Sequence, residues 1–132
     1  MNLSDHSKNK LKQTMSVWKV DADYADPMFN YLVYGYSPGS FFTSVLANDF
    51  FDAVARSHPA NTIPALKKLV GWIRDAMPPE AFGSYEAVDR WTKLSEAERR
   101  TVLEKRNLIF TPKQETWLAV KGEPVREPQV YF

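Results

Sequence analysis

The chain has 132 residues, 17 Lys and Arg against 16 Asp and Glu, no cysteine, and shares of 44% hydrophobic and 14% aromatic residues. That is the size and make-up of one ordinary soluble domain with enough apolar material for its own core, and the lack of cysteine excludes disulfides, thiolate metal sites and thiol nucleophiles. No apolar run approaches the roughly 20 residues of a membrane span and no signal-peptide pattern opens the chain, so a cytoplasmic protein without membrane contact is expected.

Charge is uneven. Residues 1–20 carry four lysines and a single aspartate, and residues 21–55 carry five aspartates and no Lys or Arg. The remainder is mildly basic. Lobes of this kind ordinarily neutralise one another within a fold, and less often steer a partner.

Residues 1–16 are polar and Lys-rich and read as a flexible tail, leaving residues 17–132 as a single helical domain. Residues 17–26 begin with alternating apolar and polar positions and read as a short extended piece. Asp26-Pro27 then supplies an N-cap and a first helical residue for a helix over 28–34, and Gly35 supplies its stop. Tyr31, Tyr34 and Tyr36 crowd the next connection. They read as packing anchors or as a protein-binding surface together with Trp72, which lies at the border of a later helix.

Ser37 and Pro38 open the longest predicted helix, 38–56, with Phe42, Val45, Leu46, Phe50 and Ala53 on one face. Asp49 falls within that face. A carboxylate there needs a partner, so Asp49 is read as a structural buried polar group with Asn48 and Ser84, and Arg74 and Arg90 are its candidate counterions. His58-Pro59 ends the helix. A second helix, 62–77, carries the stripe Ile63, Leu66, Leu69, Val70, Ile73 and Met77, with Lys67, Lys68, Gly71 and Arg74 opposite, and Pro78-Pro79 ends it.

Ser84 caps a short helix bearing Tyr85, Val88 and Trp91. Ser95 and Glu98 form a capping box for a helix over 96–106. Its cations, Arg99, Arg100, Lys105 and Arg106, are interspersed with glutamates and read as a solvated, salt-bridged face. They are also the candidate nucleic-acid contacts. Thr111-Pro112 starts a helix or Trp117–Gly122 forms a strand, so the C-terminal tail stays open between helix and hairpin.

Neither a Gly-rich phosphate loop nor an HExxH, GxSxG or Cys/His framework occurs. Asp49 and Asp52 could share a cation, but a second acidic helix is missing. No catalytic or metal residue and no cofactor is assigned. One string does stand out: Pro38-Gly39-Ser40-Phe41, Val45-Leu46, Asn48-Asp49, Ala53, Asn61, Pro78, Gly83-Ser84, Val88 and Trp91. It resembles a family of small uncharacterised proteins of tailed bacteriophages over residues 36–92. The resemblance implies a phage source and the host-cell cytoplasm, and carries no chemistry.

The expected fold is a small all-α bundle of four to six short helices with a flexible N-terminus and an irregular C-terminal tail. The expected function is that of a phage-type accessory protein that binds a host or phage protein without catalysis, such as an inhibitor of host machinery or defence. Two rivals are a nucleic-acid-binding protein using the Lys-rich tail and the 90–106 cluster, and a small hydrolase or metal enzyme using Asp49, Asp52 and His58.

Overall fold

The structure is a computed structural model and describes residues 5–57 and 63–121. Among these, eight α-helices and no strand are found: α1 (Asp5–Val17), α2 (Ala25–Phe29), α3 (Ser40–Leu46), α4 (Phe50–Arg56), α5 (Ile63–Ala76), α6 (Tyr85–Lys93), α7 (Glu96–Lys105) and α8 (Pro112–Lys121). The all-α expectation holds, with more and shorter helices than the periodicity alone suggests. His58, Asn61 and the segment 122–132 lie outside the described residues.

The described part of the N-terminal segment is a core helix, which corrects the flexible-tail reading. Ser7, Leu11 and Met15 follow one another at i+4 along α1, and all three are buried. Thr14 accepts a hydrogen bond from Trp72 Nε1 at 2.9 Å. Of the three apolar residues among its thirteen only Leu11 and Met15 are buried, a stripe too narrow to register as amphipathic, so α1 owes its stability to the partners it meets. The extended reading of 17–26 also fails. Lys19 takes a left-handed conformation (φ 57°), and a 3₁₀ turn over Ala22–Tyr24 leads straight into α2.

At the centre of the core, α2 runs into a π-helical turn, Asn30–Tyr34, that ends at left-handed Gly35 (φ 72°) as its position predicted. Widening the turn misaligns backbone carbonyls, and a helix whose Tyr31, Leu32 and Val33 are all buried cannot give them to water. Two side chains from later in the chain take them instead. Trp91 Nε1 donates to the Tyr31 and Leu32 carbonyls, at 3.2 Å each, and Arg99 Nε donates to the Val33 carbonyl at 3.0 Å. Tyr31 in turn donates its hydroxyl to the Ala81 carbonyl at 2.7 Å. These bonds tie α2, α6 and α7 into one unit.

The predicted 38–56 helix is two helices. Its start lies later than Ser37-Pro38, with Gly39 (φ 93°) at the N-cap of α3. It breaks at Asn48, which turns left-handed (φ 64°), while the Asp49 amide reaches back to the Ser44 carbonyl at 2.9 Å. Asparagine tolerates that conformation and aspartate is a strong N-cap, so the pair ends one helix and opens the next. Asp49 Oδ1 accepts the Asp52 amide at 3.1 Å. The apolar periodicity of Phe50, Ala53 and Val54 runs across the break and hid it.

Beyond the break the remaining elements match their signals closely. Leu69 and Ile73 of α5 and Met77 just past its end are buried, whereas Ile63 and Val70 of the same predicted stripe are exposed. Ser84 caps α6 through the Ala87 amide at 3.0 Å. Both halves of the Ser95–Glu98 capping box are made, at 3.1 and 2.9 Å. Thr111 and Gln114 form a second box that resolves the C-terminal ambiguity in favour of α8.

Candidate functional site

The break at Asn48-Asp49 re-aims α4. On this short helix Ala53 points inward and is buried, while Phe50, Val54 and Phe51 share the arc turned to water. Phe51 is 81% and Phe50 71% exposed, values that no core-facing phenylalanine shows. Across from them, Ile63 (62%) and Val70 (46%) stand exposed on α5. Between the two walls runs a groove of about 130 Å³, lined by Val45, Asn48, Phe50 and Ala53 on one side and by Leu66 and Val70 on the other. Isolated surface apolar groups need no explanation, but two adjacent phenylalanines beside an apolar groove form a patch of the kind that partners cover.

Asp49 sits at the rim of this groove. Tyr85 donates its hydroxyl to Asp49 Oδ2 at 2.7 Å. That bond, with the Asp52 amide second, holds the Asp49 carboxyl below its usual range. The same bond pushes the Tyr85 phenol up. Both carboxylate oxygens are thus occupied by donors that position α4 against α6. Asp49 has its partner from outside its own helix, as expected, but the partner is a tyrosine, neither Arg74 nor Arg90, and the site is a solvated rim. Asn48 is exposed and Ser84 only half-buried, so the buried-polar reading of this trio gives way to one of two caps and a hinge residue. Asp52, the other half of the supposed carboxylate pair, points to Arg56 at 3.7 Å. No group of three or more His, Asp or Glu side chains converges among the described residues.

No protein-family model, curated protein or solved structure matches the chain.

The other sequence-derived sites are redistributed. Tyr31 and Trp72 are fully buried, which removes them from any binding surface. Burial also pushes the Tyr31 phenol up. Tyr34 is half-buried, and Tyr36 is exposed with its ring packed on that of Tyr34 at 5.7 Å.

The proposed basic cluster is largely structural. Arg99 is buried, and besides Val33 it donates to the Leu94 carbonyl at the end of α6. Arg100 is held between Glu104 at 2.9 Å and Glu115 at 2.8 Å, linking α7 to α8. Ser7 of α1 donates to Glu115 as well. Arg106 is exposed but turned onto the Ala76 and Asp75 carbonyls at 3.3 Å each. Lys105 is exposed. In the Lys-rich segment, Lys8 pairs with Asp26 at 2.9 Å, and Lys10 lies over the Phe110 ring at 4.5 Å. The solvated-face reading therefore fails for Arg99 and Arg100, whose guanidinium groups serve carbonyls and carboxylates of the fold.

Sequence reasoning missed Phe50, Ile63 and Val70 as surface groups because it counted them into core stripes, and it gave Phe51 no role. The usable signal was the Asn-Asp pair at 48–49, a stop followed by a cap. Among the described residues, no helix is long and apolar enough to cross a membrane.

Proposed function

We propose that this chain is a non-catalytic binding protein, a phage-type accessory factor of the host cytoplasm that engages a protein partner stoichiometrically through the outer face of α4. The observation that carries the reading is the outward arc of Phe50 and Phe51 beside the α4–α5 groove. Aromatic side chains supply large contact area at little entropic cost, and interfaces concentrate them. The resemblance over residues 36–92 supports the phage setting, and α3, α4 and the capped start of α6 fall within it. Nucleic-acid binding is disfavoured because Arg99 and Arg100 are committed to contacts inside the fold.

Capture from host lysate by the unmodified chain and by Phe51→Asp tests the reading. A protein retained at stoichiometric level by the first and lost by the second is the expected result. Equal capture by both overturns it, as does tight oligonucleotide binding that falls steeply with salt.

A further inference from the structure

We propose that a second copy of the chain is a partner of this face, the two copies joined about a two-fold axis so that α4 of each lies on α5 of the other. The inference rests on reading the face as a protein-contact surface and names the occupant.

The first support is area. A phenylalanine presents on the order of 200 Å², so at the exposures of Phe50 and Phe51 the pair offers roughly 300 Å² per copy, and Val54, Ile63 and Val70 bring the apolar total to about 500 Å². A standard interface covers about 800 Å² per partner, a little over half of it apolar. The patch therefore has the apolar area that one side of a stable dimer needs.

The second support is charge. On the α4 side the polar groups lining the groove are Ser44, Asn48 and Asp49, of which Asp49 carries the charge, while Asp52 lies outside the lining and pairs with Arg56. On α5, Ile63, Lys67, Val70 and Arg74 follow one another at i+4, i+3 and i+4, so the free stripe alternates apolar and basic, and all four residues are exposed. One wall is thus apolar with an acidic group at its rim and the other apolar with basic groups. A two-fold axis through the groove exchanges the walls, setting Phe50 and Phe51 on the partner's Ile63 and Val70, and Asp49 toward the partner's Lys67. An isologous contact requires this self-complementarity, and a surface built for an unrelated protein does not. A dimer formed this way keeps the aromatic arc out of water until a tighter partner displaces the second copy.

Sedimentation equilibrium of the full chain from micromolar to millimolar concentration tests the proposal, with far-UV circular dichroism confirming that each variant is folded. The unmodified chain is expected to reach twice its 15.2 kDa mass. Phe51→Asp should raise the dimer dissociation constant by at least about tenfold. Lys67→Glu should weaken the dimer, because it sets a like charge toward Asp49 of the other copy. A monomer at every concentration overturns the proposal, as does a dimer indifferent to Phe51→Asp. Lysate capture that still depends on Phe51 in a strictly monomeric chain would leave the protein-contact reading standing while removing the second copy as its occupant.

Discussion

Replacing Arg99 with methionine keeps most of the aliphatic volume and deletes every donor, so it isolates what the guanidinium does. Arg99 is 5% exposed, and its Nε bond to the Val33 carbonyl and its Nη1 bond to the Leu94 carbonyl are the contacts that matter. Its approaches to the Trp91 and Thr92 carbonyls, at 3.4 and 3.5 Å, are too long to add much. Hydrogen bonds from a charged donor contribute about 1.5–3 kcal/mol each, and a cation at a helix C-terminus adds a few tenths to about 1 kcal/mol. Returning a guanidinium to water in the unfolded chain offsets part of this. The net expected loss is about 2–4 kcal/mol, or on the order of 10 °C in Tm for a domain of this size. Urea denaturation followed by tryptophan fluorescence and by circular dichroism measures it, with Arg106→Met as the exposed control, expected to cost under about 0.5 kcal/mol. If Arg99→Met is as stable as the control, the π-turn carbonyls do not depend on Arg99, and the account of how α2, α6 and α7 are joined is wrong.

Leu11→Ala should cost about 2–5 kcal/mol, because Leu11 is a fully buried member of the core cluster; a loss under 0.5 kcal/mol in the same urea assay would return α1 to the status of a tail. Gly71→Ala would place a Cβ 2.6 Å from the Trp18 ring. The ring must swing away and give up its 3.1 Å bond to Asp75, so despite alanine's better helix propensity a loss of about 1–2 kcal/mol is expected, with a red-shifted tryptophan emission. An unshifted spectrum with unchanged stability would contradict the Trp18–Gly71 packing. The Asp49 carboxyl is held below its usual range when folded, so it stabilises the fold above the ordinary aspartate pKa of about 3.9 and loses that contribution as the pH falls through its folded value. Asp49→Asn, which keeps an acceptor for the Asp52 amide but not the charge, should be somewhat less stable than the parent at neutral pH and show a shallower fall of Tm on acidification, so that the two curves converge at low pH; parallel curves would rule out the Tyr85–Asp49 linkage.

Local physics determined much of this protein from sequence. Several signals that act within four residues appear where the sequence places them: the Ser84 cap, the Ser95–Glu98 box, the Gly35 stop and the Pro78-Pro79 terminus, whereas the Ser37-Pro38 and Asp26-Pro27 starts do not. The all-α class follows from the same short-range terms. Tertiary structure decided the rest, since burial is a property of neighbours distant in sequence. Ser7, Leu11 and Met15 form a core stripe only because α2, α5 and α8 are there to receive them. Arg99 reads as a surface cation until the π turn presents it with carbonyls. Phe50 continues an apolar period that suggests a core face, yet the left-handed Asn48 rotates α4 so that Phe50 and its neighbour Phe51 face water. Periodicity counts residues along one axis, and a single residue at positive φ changes that axis.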